Sequence, residues 1–444
     1  MGLLERLPVI IDKAKQEYQG LLEEEAPAFS LQQTVGSGEN RLALGDNLEW
    51  MAYLLHREEW KGKLQLVYID PPFFSKADYG AEIKLNAKAG IKVPVMKQKA
   101  YRDTWENGME EYLSMLAVRF YCIRDLLAEE GCLWVHLDHH AVHYVKVLLD
   151  EIFGEKNFIN EVIWTYKSGG VSKHAFAKKH DNLLFYARSP RYYFAPRQEK
   201  SYNRGYKPYR FKGVKEYRDE TGWFTMVNRK DVWQIDMVGR TSAERTGYAT
   251  QKPEQLMERI LESCTREGDW VADFFCGSGT MPAAANRLGR RWMACDQGRL
   301  AVINTHKRMV AQQASYTLQE VQREAEGRKE QGTVGVRIQW EEQPVTGGYT
   351  LRVELTGYQP ASLKDVPVEE KYLPTIRKVI KEDPLALVDC WSVQLGSEGE
   401  NSPAVSFCRN GKQLTLQYES LVKEQKPVTV RVIDIFGNGG TTTK

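Results

Sequence analysis

No run of about 18 uncharged apolar residues occurs in the 444-residue chain, which excludes a hydrophobic helix able to cross a bilayer. A secretory pattern is also missing, because Glu5, Arg6, Asp12 and Lys13 interrupt the N-terminal apolar residues. Cysteine is sparse. There are seven, an odd number, with none spaced C-x-x-C and several inside apolar runs. That is the usage of reduced, buried thiols in a cytosolic protein, and it offers no zinc signature. His136, His139, His140 and His143 cluster at a strand end and helix start. With no cysteine beside them they read as a packed or solvated face, and no metal is expected. Internal repeats are absent. Net charge is small, at +2.

That small net charge conceals an asymmetry. Residues 166–252 hold nineteen Lys/Arg against eight Asp/Glu, a local +11, so the remainder carries −9. A basic block in an otherwise acidic chain is the electrostatic footprint of a polyanion partner. Aromatic residues run through it, among them Tyr202, Tyr206, Tyr209, Phe211, Tyr217, Trp223 and Phe224. Some must form a small core, and the others are available to stack on bases or wedge between them.

Two motifs carry chemistry. The apolar run Leu64–Ile69 reads as a buried strand closed by Asp70-Pro71-Pro72-Phe73. Proline fixes φ and has no N–H to donate, so the strand must stop there. The loop then presents an acceptor carboxylate, a free carbonyl and an exposed ring, which suits a flat heterocycle bearing an exocyclic amine. The second motif runs from Trp270 to Thr280 as strand, glycine loop and helix start. Gly277 and Gly279 allow close backbone approach to a ligand, and the helix start offers free amides. The next strand, Arg291–Cys295, ends in Asp296, placed to accept ribose hydroxyls. The third glycine of the dinucleotide fingerprint is missing, which favours an adenosine-bearing cofactor other than a nicotinamide.

In the order and spacing of these elements the chain resembles amino-directed DNA methyltransferases dependent on S-adenosylmethionine. It is similar to the permuted, beta-class group in which the DPPY-type loop precedes the FxGxG loop. Gly45-Asp46-Asn47, Thr250-Gln251-Lys252-Pro253, Gly131–Asp138, Leu148–Gly154 and Lys179–Ala187 match further elements, and the match covers about residues 40–315. Modification subunits of type III restriction–modification systems look similar. The resemblance implies Asp70, Pro71, Pro72 and Phe73 as catalytic residues. It implies Asp46, Thr250, Lys252, Asp273, Phe275, Gly277, Gly279 and Asp296 as cofactor-binding residues. It implies adenine N6 in a flipped-out base of double-stranded DNA as the target, in the cytoplasm. A homodimer and a restriction subunit are partners it leaves open. Cytosine N4, an RNA substrate and a DNA-binding specificity subunit without catalysis are the rival readings. Phe274 stands where the family often has proline.

The expected fold is α/β, a Rossmann-like doubly wound sheet with an inserted target-recognition region and a β-rich C-terminal domain. Residues 1–40 read as an N-terminal helical extension. Residues 41–189 form the catalytic half and 190–245 the basic recognition region. The cofactor half spans 246–318, and a separate β-rich domain spans 334–444. Residues 75–104 read as a mobile Lys/Gly-rich insertion and 319–333 as a linker.

Overall fold

A computed structural model describes residues 2–57, 59–83, 85, 95–167, 171–322, 332–344, 347–362, 368–397 and 402–444. Fourteen of the described strands join in one sheet. The strand Leu64–Ile69 lies parallel between Leu127–Leu137 and Trp270–Asp273. Parallel pairing continues through Arg291–Asp296 and Asn40–Leu44 to Tyr316–Val321. On the opposite flank His180–Ala187 runs antiparallel between Leu127–Leu137 and Phe158–Thr165. The expected Rossmann-like, doubly wound sheet is therefore present.

The strands explain the layering. Leu64, Leu66, Val67 and Ile69 are fully buried, as a parallel strand covered on both faces requires. Successive side chains point to opposite faces. Val67 and Ile69 enter a core shared with the helices Leu3–Glu23, Asn47–His56, Met109–Leu126 and Val142–Phe153. Leu66 and Tyr68 enter a second core with Glu254–Cys264, Thr280–Arg287 and Arg299–Ala311.

Several stretches differ from the sequence reading. Phe29–Val35, expected within the N-terminal helix and connector, is a strand antiparallel to Tyr316–Val321. The start of the expected linker belongs to that second strand, and residues 323–331 lie outside the described residues. In the expected insertion, Asp78–Ile83 and Met96–Arg102 pair as an antiparallel hairpin, while residues 84 and 86–94 lie outside the described residues.

The C-terminal region is rich in strands. Thr333–Glu342, Tyr349–Gln359 and Gln417–Val422 form a small antiparallel sheet. The other strands extend the large sheet, because Phe29–Val35 pairs in parallel with Pro403–Cys408. Lys307 and Asp389 pair at 2.7 Å across this join, and Arg431 donates to the Gln32 carbonyl at 2.8 Å. The C-terminal region is thus continuous with the sheet and not set apart from it. Val388–Leu395 escapes a reading by polarity because Asp389, Ser392 and Gln394 are buried along with its apolar residues. No helix among the described residues is long and apolar enough to cross a membrane.

Candidate active site

The parallel strands that end at Leu44, Ile69, Asp273 and Asp296 deliver their following loops to one edge of the sheet, the usual ligand side of an open α/β fold. There the Asp70 loop meets a segment 180 residues away. Asp70 Oδ2 accepts a hydrogen bond from Lys252 Nζ at 2.5 Å, with the side chains 19% and 9% exposed. Asp70 Oδ1 is buried with no hydrogen-bond partner among the described residues. The Lys252 ammonium also lies 4.9 Å from the centre of the Phe73 ring. Pro71 is buried, and Pro72 is half-buried.

His136 sits 5.6 Å from Phe73, ring to ring. It is fully buried, and among the described residues it stands in no group of metal-ligating side chains. Its Nδ1 is 2.9 Å from the Tyr68 hydroxyl, and its Nε2 is 3.2 Å from Asp181 Oδ2. Tyr166 donates to the other Asp181 oxygen at 3.1 Å. Burial opposes the Asp181 charge, yet the hydrogen bond and charge of His136, the charge of Lys252 and the Tyr166 bond hold its carboxyl below the usual range. This polar chain was not legible in the sequence, which showed only a histidine within a strand.

A second residue the sequence reading missed is Asp103. It is almost wholly buried, and its carboxylate accepts from Phe74 N at 3.0 Å, Ser75 N at 2.7 Å, Ser75 Oγ at 2.7 Å and Trp105 Nε1 at 3.0 Å. Phe74 takes a positive φ of 63°, uncommon for an aromatic, and these bonds hold the turn. Asp103→Ala orphans several donors at about 1–3 kcal/mol each. The expected result is a loss of DNA-directed turnover on the order of 100-fold, the scale of a displaced catalytic group. Cofactor affinity should stay within about threefold, since Asp103 bonds to Phe74, Ser75 and Trp105, none of which lines the cavity at Gly277. Asp103→Asn should recover part of the rate. Steady-state kinetics with calorimetric cofactor binding checks this, and unchanged turnover in Asp103→Ala would refute the clamp.

The glycine loop is built for close approach. Gly277 and Gly279 take φ of 49° and 73°. Gly277 N donates to Asp296 Oδ2 at 2.9 Å and Gly298 N to Oδ1 at 2.8 Å. Each oxygen keeps a lone pair, so Asp296 can still accept from a ligand hydroxyl. Burial raises the Asp296 pKa against the opposing amides. Asp273 is buried and accepts from Phe275 N at 3.0 Å. Burial pushes its carboxyl well up, Phe275 N opposes this, and Asp70 and Asp296 add to it.

Asp70, Thr250, Lys252, Asp273, Phe275 and Gly277 line one cavity, with Tyr68 and Tyr248 among its other walls. Thr250 has φ 59°, strained for a β-branched residue, as is common where a ligand is held. Asp46 lies elsewhere in the loop cluster. It caps the helix Asn47–His56 through Leu48 N at 2.7 Å and pairs with Arg119 at 3.1 Å. Phe274 is fully buried against Trp50, so the loop is fixed there by packing where the family often uses proline. The groups His306–Cys390–Cys408 and Asp138–His139–His140 could each share an ion. Each stops at three donors, whereas a closed zinc site takes four.

In the basic region, Gln198–Tyr202, Glu216–Arg218 and Trp223–Asn228 form a three-stranded sheet. Phe224 is its buried centre, stacked on Tyr217 at 5.6 Å. Tyr206, Tyr209 and Phe211 remain exposed.

Among known families, a model described as DNA methylase matches residues 64–303, which include both motifs. The chain is 26% identical over 333 residues to the type II methyltransferase M.EcaI of Enterobacter cloacae, covering 61% of this chain and 70% of that protein. It is 25% identical over 162 residues to the EcoP15I Mod subunit, a type III restriction–modification enzyme of Escherichia coli, covering 34% of this chain and 25% of that subunit. A solved PvuII DNA methyltransferase, named cytosine-N4-specific, overlaps 63% of this chain and 88% of its own at 16% identity and a TM-score of 0.42.

Proposed function

The chain belongs to the DNA methylase family, and we propose that it methylates adenine N6 in a base flipped out of duplex DNA, with S-adenosylmethionine as cofactor. The observation that carries this reading is the Asp70 carboxylate, held by Lys252 on one oxygen and with no partner among the described residues on the other, its Lys252 partner lying over the Phe73 ring.

The residues fit the cofactor. Gly277 and Gly279 clear space along the loop, Asp296 retains acceptor capacity for hydroxyls, and Lys252 supplies a cation for a carboxylate. When bound, S-adenosylmethionine supplies a methyl group on a sulfonium sulfur. The chain's own residues prepare the nucleophile. The adenine amine is weak because its lone pair is delocalised into the ring. Asp70 Oδ1 accepts one amine hydrogen and the Pro71 carbonyl the other, which draws the lone pair out of conjugation. Holding the nitrogen in line for attack adds a positioning effect. Phe73 stacks on the base, which offsets part of the few kcal/mol that flipping costs, since one stack contributes about 1–3 kcal/mol.

A purine stacks more fully on Phe73 than a pyrimidine, and Phe73 has no hydroxyl to read an edge. N6-methyladenine is therefore the expected product. Nucleoside mass spectrometry after reaction on mixed-sequence duplex DNA tests this. Methyladenine supports the reading. N4-methylcytosine alone would move the target to cytosine, and no methylated base would remove the activity.

A further inference from the structure

Between the antiparallel strands Phe158–Thr165 and His180–Ala187 the described residues 166–167 and 171–179 meet at a base that adjoins the site. That base is closed by the Tyr166 amide on the Lys179 carbonyl at 3.1 Å. Tyr166 and Asp181, on either side of that closure, are the outer members of the polar chain behind Phe73. Lys178 Nζ meets His139 Nε2 at 2.5 Å, which ties the far arm of the loop to the turn before the helix Val142–Phe153. Ser172 Oγ accepts from His174 N at 3.2 Å and Ala175 N at 3.1 Å, forming a local turn just before Phe176.

Phe176 is 99% exposed, more than any other large apolar side chain described. Burying a phenylalanine is favourable, so a ring left bare on this turn has an unfilled preference. Its neighbours Ala175 and Ala177 are small and leave it clear. Lys173, Lys178 and Lys179 flank it in sequence, and residues 171–180 contain no acid. A bare ring in a segment with three lysines and no acid, on a loop rooted at the polar chain behind Phe73, matches one occupant by charge and shape. That occupant is the interior of a double helix whose phosphates meet the lysines.

Resting on the proposed function, we infer that Phe176 is a wedge that enters the duplex beside the target base and holds the flipped state open. Apolar side chains inserted between base steps stabilise unstacked duplex in this way. Phe73 would stack on the base outside the helix, and Phe176 would fill the position inside it. The lysines would give the loop a salt-dependent share of affinity.

The test uses the full chain and a duplex carrying its target, identified by methylation mapping. One duplex has the target paired, and another places it opposite an abasic site, where unpairing is already done. Phe176→Ala should lower the rate on the paired duplex by about tenfold, within the range of one lost stack. On the abasic duplex the difference should shrink to about threefold or less, since the flipped state needs less support. Phe176→Trp should stay near wild type on both, and cofactor binding should not change. Equal impairment on both duplexes, or none on the paired one, overturns the wedge. So does a native dimer that Phe176→Ala converts to monomer with full activity, which would assign the ring to a second copy of the chain. A native chain with no activity on either duplex would instead strike at the proposed function.

Discussion

Asp70→Asn is expected to lower methyl transfer by about 10²–10⁴-fold, the usual contribution of a general acid–base group. The substitution is nearly isosteric. Its amide keeps an oxygen for Lys252 Nζ, which now sits 2.5 Å from Asp70 Oδ2. What it removes is the charge and the acceptor at Oδ1, the atom buried without a partner among the described residues. An amide nitrogen there would present hydrogens to an amine that also presents hydrogens. Cofactor affinity should stay within a few-fold, because Gly277, Gly279 and Asp296 are untouched. Single-turnover kinetics with equilibrium binding of S-adenosylmethionine separates the two effects. A variant that binds cofactor normally and still turns over within tenfold of wild type would remove Asp70 from the chemistry.

The Asp70 loop was legible in sequence because its grammar is local. A buried run followed by Asp-Pro-Pro-Phe fixes where the strand stops and what stands beyond it. The glycine loop was legible for the same reason, since positive φ and a strand-to-helix turn leave their mark within ten residues. The Lys252–Asp70 pair could not be read this way. The two residues are 182 apart in sequence, and it is the helix Glu254–Cys264, packed in one core with Leu66 and Tyr68, that brings Lys252 before its start to the end of Leu64–Ile69. Asp103 was hidden differently. It closes a Lys-rich stretch with no period, and three of its four donors come from the Phe74–Ser75 turn nearly thirty residues earlier, the fourth being Trp105 Nε1. His136 and Asp181 lay in recognised strands, but whether such residues face a site or a core depends on which neighbours the sheet order supplies.

The sheet shows the same division. The central strands were predictable because both faces are apolar. Phe29–Val35 was missed because Ser30, Gln32, Gln33 and Thr34 make it look like a connector. It gains its place from partners on both sides, Tyr316–Val321 and Pro403–Cys408, that lie hundreds of residues away. A polar strand of this kind is specified by hydrogen-bonding partners more than by its own side chains.

Gly279→Val is expected to abolish cofactor binding and lower thermal stability substantially. Two effects combine. Gly279 has φ 73°, a left-handed conformation that a β-branched residue resists at about 1–3 kcal/mol. A Cβ there would also sit 2.5 Å from Thr305 Oγ1 and 2.9 Å from Thr305 Cβ and Cγ2. Thr305 is fully buried on the helix Arg299–Ala311, so it has no free space to retreat into. Overpacking of this kind adds about 1–3 kcal/mol. Gly277 makes the informative contrast. Its φ is 49°, but an added Cβ would meet nothing nearer than Tyr248 Cε1 at an ordinary 3.4 Å, with Phe275 O at 3.9 Å and Tyr248 Cδ1 at 4.0 Å. Gly277→Ala should therefore be much milder than Gly279→Val. If the clash with Thr305 dominates, Gly279→Ala combined with Thr305→Ala should bind cofactor better than Gly279→Ala alone, because two of the three close atoms are gone. Thermal melts and calorimetric titration with S-adenosylmethionine measure both quantities. Wild-type melting and affinity in Gly279→Val would mean that the loop does not approach its ligand or Thr305 in this conformation.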